Sequence, residues 1–260
     1  SRDARGGVQG LSAEKCHSPR MTAPIGIMAA LPQEVGDVIA RIQQPTTTKR
    51  ARRHYTQGVL GDGTSATPVV VCVARVGKVA AASTATTLIQ QFGCETVLFV
   101  GLAGGIDREQ MVRVGDIVIA SAVAQHDMNA SPIFPKNEIP LLGIKEIPTD
   151  VTWSERLKDA ALRCTTGTAA SVHQGLVLSG DQFINSAEAQ QRLQRDWPTA
   201  LAVEMEGAAV GQVCFEHGVR FAIARTISDR ADDEANTDFP TFLTTVAAPR
   251  ANALLNALFP

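Results

Sequence analysis

The stretch "TPVVVCVARVGKVAAASTATTLIQQFG", residues 67–93, decides how the chain is read. Its first half is an unbroken apolar run closing on Gly77, the pattern of a strand buried on both faces. Its second half, Lys78 to Phe92, is alanine-rich and stops at Gly93, the residue type that most readily ends a helix. "ETVLFVGLAGGI" (95–106) follows at once as another buried strand. Upstream, "PIGIMAAL" (24–31) reads as a strand, and Val35, Val38, Ile39 and Ile42 have helical spacing. Downstream the alternation continues. Strands are expected at "VGDIVIASAVAQHD" (114–127), at "HQGLVLSG" (173–180), ending near Val203, and at "RFAIARTIS" (220–228). Helices are expected at about 150–164, 186–195, 206–217 and 239–259, the last with Pro249 as a kink or break. "MNASPIFPKNEIPLLGIKEIP" (128–148) carries four prolines and reads as an irregular excursion. These patterns predict one α/β domain over residues 21–260: a central mixed, largely parallel, twisted sheet with helices on both faces. Residues 1–20 are polar and aperiodic and are expected to be a disordered leader or appended extension outside the fold.

Composition narrows the function. A net charge of −2 over 260 residues offers no basic excess for nucleic acid or an anionic membrane, so a small-molecule partner is expected. No apolar stretch approaches the ~18 residues of a membrane span. Five scattered cysteines without a CxxC or a His/Cys cluster predict reduced thiols, a cytoplasmic location and no metal site.

In open α/β sheets, ligands collect beyond the carboxyl ends of the strands. Here those ends carry acids: Glu34, Asp127, Asp181, the pair Glu204 and Glu206, and Asp229. Each has an ordinary structural reading as well. Glu206 suits a helix N-terminus, where negative charge is stabilising, and Asp229 suits a cap or turn. His126 has the bland reading of a hydrogen-bonded surface or interface residue. "GLAGGI" lacks the GxGxxG spacing of a phosphate cradle and reads as a tight turn.

Taken in order, the segments resemble the purine nucleoside phosphorylase/nucleosidase superfamily, and most closely its 5′-methylthioadenosine/S-adenosylhomocysteine nucleosidase branch. The resemblance is carried by "IGIMAALPQEV" (25–35), "VGKVAAASTATTLI" (76–89), "GLAGGI" (101–106), "VGDIVIA" (114–120), "SGDQFIN" (179–185), "AVEMEGAAV" (202–210) and "ARTISDRAD" (224–232). It implies hydrolysis of an N-glycosidic bond to release adenine, no cofactor, and a homodimer with the 128–142 excursion as a contact surface. It also implies roles by position. Glu34 activates water and Asp229 is the general acid at the purine, with Ser228 orienting it. Glu206 holds the ribose hydroxyls, Met205 lies against the sugar, and Arg225 sits near ribose and water. Phe183 stacks on adenine and the Ile184 backbone reads the base. Phe239 walls the 5′-alkylthio pocket, and Val76 lies at a strand end beside the site.

The chemistry suits those residue types. Glycosidic cleavage leaves an electron-poor sugar and a base that departs as an anion unless protonated. An acid at the purine, a base for water and a carboxylate at the ribose answer those needs. Asp229 would have to begin the reaction protonated, or share a proton with the purine. Glu204 is expected to support the site by pairing with a neighbour such as Arg225. Two departures from the family pattern stand out: Leu102 where the branch commonly has serine, and Arg75 where a small residue is expected. Leu102 cannot donate a hydrogen bond, which weighs against phosphate as the nucleophile. Phosphorolysis, and nucleoside binding without turnover, are the competing readings.

Overall fold

The computed structural model describes residues 22–109, 111–232, 235 and 242–260; the expected leader and Phe239 lie outside them. The first strand, β1 (Ile25–Ala29), runs parallel between β4 (Thr67–Val73) and β5 (Thr96–Gly105). β5 also pairs in parallel with β10 (Arg220–Asp229), along nearly its whole length. β10 pairs antiparallel with β6 (Ile117–Gln125), which runs parallel to β8 (Val172–Ser179), itself parallel to β9 (Ala200–Glu204). β9 returns to β5 through an antiparallel contact at Gly104 and Gly105. The five strands β5, β10, β6, β8 and β9 therefore form a closed ring, and β1 and β4 extend from it as an open wing.

The wing ends in a hairpin, β2 (Gln43–Arg50) and β3 (Arg53–Leu60), paired antiparallel onto β4. A short strand, β7 (Ile147–Pro148), adds to β6 at the end of the proline-rich excursion. The sheet is mixed, as expected, with the parallel pairings concentrated around β1, β5 and β8.

Burial on both faces explains the unbroken apolar strands. Ile25, Ile27, Val69, Val71, Leu98 and Val100 face one side, with Val38 of α1 (Gly36–Arg41), Leu157 of α3 (Val151–Thr165) and Leu255 of α6 (Ala248–Leu258). Met28, Val70, Cys72, Val97 and Phe99 face the other, against α2 (Lys78–Phe92) and α5 (Gly207–His217). The period-two alternation is thus present, with apolar residues in both phases. A third cluster joins Leu193 of α4 (Ala187–Asp196) to Leu176, Leu178 and Val203. Gly93 ends α2 in the left-handed conformation, as predicted, and the Asp150 carboxylate caps α3 by accepting the Trp153 N–H at 2.9 Å. At the C-terminus a π-helical turn (Leu243–Ala247) gives way to α6 beside Pro249. That is the expected interruption, because proline offers no N–H to continue the ladder.

Candidate active site

Glu34 is delivered by a single 3-10 turn, Pro32–Glu34, directly after β1. The turn folds the side chain inward until it is 1% exposed, and the Leu31 N–H donates to Oε2 at 2.7 Å. Burial pushes its acidity up to about 7; the Leu31 N–H and the nearby Arg225 charge oppose that rise without cancelling it. A carboxylate with that proton affinity suits a base working near neutrality.

The two glutamates after β9 have different tasks. Glu204 is fully engaged. It accepts the Gly207 N–H at 2.8 Å, the Glu206 N–H at 3.2 Å and the Ser179 hydroxyl. It also pairs with Arg225, whose Nη2 and Nε lie 2.5 and 3.2 Å from Oε2. Glu204 therefore caps α5 from the preceding strand end and neutralises a buried arginine, as the sequence suggested. Arg225, 1% exposed, also lies 4.0 Å above the Phe99 ring, and its remaining nitrogen, Nη1, is buried without a partner.

Glu206 points into the cavity, where its Oε1 accepts the Gly77 N–H at 2.7 Å. Burial, reinforced by the Glu204 charge, raises its proton affinity well above the usual carboxylate range. Gly77 adopts φ +100°, a conformation that aims its N–H at this carboxylate and that a side chain would resist.

At the end of β10, the Ala231 N–H donates to Asp229 Oδ1 at 2.8 Å. The Ser228 hydroxyl lies 2.6 Å from Asp229 Oδ2 and 3.3 Å from the Ala103 carbonyl oxygen. This pairing of Ser228 with Asp229 is the one the resemblance implied.

These side chains line one open-mouthed cavity of about 210 Å³, a concave site of the kind that takes small molecules. Every expected site residue that the structure describes lines it: Glu34, Val76, Phe183, Ile184, Met205, Glu206, Arg225, Ser228 and Asp229. Gly101 was not singled out from sequence, yet it is central. A Cβ built there would sit 2.8 Å from Arg225 Nη1 and 3.2 Å from Glu34 Oε1. Both groups therefore border one small space, large enough for an oxygen only because residue 101 has no side chain. Reading "GLAGGI" as a tight turn hid this role: Gly101 is inside β5, and what it supplies is clearance.

His126 does not join the cavity. It is buried against Gly180, with Nε2 unpartnered, so it is not the hydrogen-bonded surface residue expected. Asp127 next to it pairs with Lys78 at 2.6 Å and accepts the Asp181 N–H, tying β6 to the turn after β8. Among the described residues no His, Cys, Asp and Glu cluster is suited to a metal, and Cys72, Cys94, Cys164 and Cys214 are free thiols. No described helix is long and apolar enough to cross a membrane.

A closed mixed sheet with acids at several strand ends around one cavity defines an α/β class, and the family model described as "Phosphorylase superfamily" matches residues 24–260. A 5′-methylthioadenosine/S-adenosylhomocysteine nucleosidase from Actinobacillus succinogenes is 34% identical over 236 residues, 90% of this chain and 97% of its own. The crystal structure of the nucleosidase of that name from Neisseria meningitidis, in complex with methylthio-immucillin-A, superposes with a TM-score of 0.82. It is 28% identical and covers 91% of this chain and 98% of its own. A futalosine hydrolase mutant from Helicobacter pylori superposes with a TM-score of 0.79 at 30% identity, over 90% and 97% of the two chains. The chain belongs to the 5′-methylthioadenosine/S-adenosylhomocysteine nucleosidase family of the phosphorylase superfamily.

Proposed function

We propose that this enzyme hydrolyses the N-glycosidic bond of 5′-methylthioadenosine and S-adenosylhomocysteine, releasing adenine and the 5′-thioribose. The observation that carries the reading is the charge inventory of the cavity. Four buried carboxylates, Glu34, Glu204, Glu206 and Asp229, line it with one described cation, Arg225, already paired to Glu204. Such a lining offers phosphate no cation that is not already paired, and a carboxylate at the ribose favours a sugar that gains positive charge as the bond breaks.

In this reading Glu34 takes a proton from water held in the space beside Gly101, and Arg225 Nη1 fixes that water's oxygen. The oxygen attacks the anomeric carbon as the bond to the purine nitrogen breaks. The bonding pair leaves with the base, and Asp229 delivers the proton that makes it neutral adenine. Ser228 orients the Asp229 carboxyl for that transfer. Glu206 accepts hydrogen bonds from the ribose hydroxyls, Met205 covers the sugar face, and Ile184 and Phe183 hold the base. Val76 borders the sugar's outer end, and Phe239 is assigned to the 5′ wall by resemblance alone. No cofactor is needed, since water and three ionisable side chains balance the reaction.

We further propose that the protein is a cytoplasmic homodimer associating through the 128–142 excursion. Ile133 and Leu141, 81% and 91% exposed, are the apolar contacts it offers. Sedimentation of the native protein at micromolar concentration tests this, and a monomer would exclude it. The activity is tested by adenine release from both thioether nucleosides with and without phosphate. Turnover independent of phosphate, and lost in Asp229→Asn by at least ~10²-fold, is expected. Strict phosphate dependence would overturn the hydrolytic reading, and binding without turnover would replace it with a binding protein.

A further inference from the structure

The tip of the β2–β3 hairpin is fastened to the rim of the cavity by arginines. Arg53 donates to the carbonyls of Ala74 (2.9 Å), Ala80 (3.3 Å) and Ala51 (3.0 Å), and Arg75 Nη2 donates to the Arg52 carbonyl at 2.7 Å. Three non-glycine residues at this junction adopt left-handed backbone: Ala51 (φ 43°), Arg52 (φ 61°) and Arg75 (φ 74°). That conformation is unfavourable for side-chain-bearing residues, and it persists where the surroundings impose it, often at functional sites. Lys49, Arg50, Arg52, Arg53 and Arg75 gather here, and among the described residues none makes an ion pair. In a chain of net charge −2 this is a local concentration of positive charge.

Its position gives it meaning. Arg75 immediately precedes Val76 and Gly77, and the Gly77 N–H holds Glu206, the proposed ribose clamp. The reacting end of the cavity is closed, with Glu34 and Asp229 1% and 3% exposed. Val76 and Phe183, 51% and 43% exposed, mark its mouth. In the nucleosidase reading, a nucleoside with its base at Asp229 and its hydroxyls on Glu206 would direct its 5′ substituent toward this mouth. Arg75 is exposed, and Nη2 of its guanidinium donates to the Arg52 carbonyl. Asp181, the nearby carboxylate, is occupied by the Lys78 N–H at 2.8 Å.

Resting on the nucleosidase reading above, we propose that Arg75, backed by the hairpin cations, is a specificity residue that favours substrates whose 5′-thio substituent ends in a carboxylate. Arg75 would bind the tail outside the cavity, and the bond-breaking groups would be unchanged.

The test uses two nucleosides of matched length, 5′-(3-carboxypropylthio)adenosine and 5′-butylthioadenosine, which differ in the terminal charge. The readout is the ratio of their kcat/KM values. We expect the native enzyme to prefer the carboxylate, and Arg75→Met and Arg75→Gly to lower the ratio three- to tenfold. Arg75→Lys should retain most of it. Arg75→Gly also suits the backbone at φ 74°, so a folded variant is available, and its melting temperature checks this. Salt at 0.5 M should bring the native ratio toward that of the glycine variant, because exposed charges are screened. Cleavage of both compounds with a ratio that responds neither to residue 75 nor to salt would overturn this proposal alone. Cleavage of neither compound, nor of 5′-methylthioadenosine, would overturn the nucleosidase reading and this proposal with it.

Discussion

Replacing Glu34 by glutamine should abolish activity while making the folded protein more stable at alkaline pH. The native carboxyl holds its proton up to about pH 7, whereas in the unfolded chain it is released near its ordinary value of 4.5. Through that window the native state binds more protons, so stability falls as pH rises from 4.5 to 7. Each tenfold change in proton affinity is worth about 1.4 kcal/mol. The gap therefore corresponds to ~3 kcal/mol of stability lost by pH 8. Below pH 4.5 both states are protonated and this contribution vanishes. Glutamine keeps an oxygen for the Leu31 N–H and does not titrate, so the variant should lack this part of the decline. Glu206, also raised in proton affinity, contributes a loss of the same sign in both proteins and cancels to first order in the comparison. Urea unfolding at half-unit steps from pH 5 to 8.5 gives the two profiles, and adenine release at each step gives the activity. The profiles should diverge by ~2–3 kcal/mol across the range, with turnover reduced at least ~10²-fold in the variant. Parallel profiles would refute the argument that burial of Glu34 controls its protonation.

Two further substitutions probe the same site. Gly101→Ala places a methyl group between Arg225 Nη1 and Glu34 Oε1. It should lower kcat/KM about 10²-fold, the scale on which displaced reactive groups lose catalysis, and lower the melting temperature as the buried Arg225 is pushed aside; near-native kinetics would show that the space beside Gly101 holds no reacting atom. Glu204→Ala leaves the Arg225 charge buried and unpaired and uncaps α5, and should cost roughly 3–5 kcal/mol in chemical denaturation. Loss of activity at native stability would instead make Glu204 a participant in the chemistry.

Much of this architecture could be read from the chain because burial leaves a mark on composition. β1, β4, β5 and β10 are apolar in both phases because they lie between two helical layers, and Gly93 announces the end of α2. The hairpin left no such mark. "QQPTTTKR" in β2 is almost wholly exposed, so it lacks apolar alternation, and its strand form depends on pairing with β3. Pro45 is tolerated there because β2 is an edge strand with a shifted register between Gln43 and Thr46. The acids were legible as strand-end residues, and the Glu204–Arg225 pair followed from the cost of burying either charge alone. Which strand ends meet was not legible. That depends on the contact of β9 with β5 at Gly104 and Gly105, between residues nearly 100 positions apart, and on the missing side chain at Gly101.

The closed ring has a mechanical consequence for the enzyme. Glu204 and Asp229 terminate strands of the ring itself, Glu206 lies two residues past the end of one, and Glu34 hangs from β1, which is laced to β5. Each of these strands is paired on two sides, so the groups proposed for catalysis are expected to open only with the sheet as a whole. The hairpin is attached through β4 on one edge and by a few arginine contacts at its tip. The proposed chemistry thus sits on strands paired on both sides, and the proposed tail recognition beside a hairpin paired on one. Sequence change in the hairpin can alter the choice of substrate without loosening the groups that break the bond.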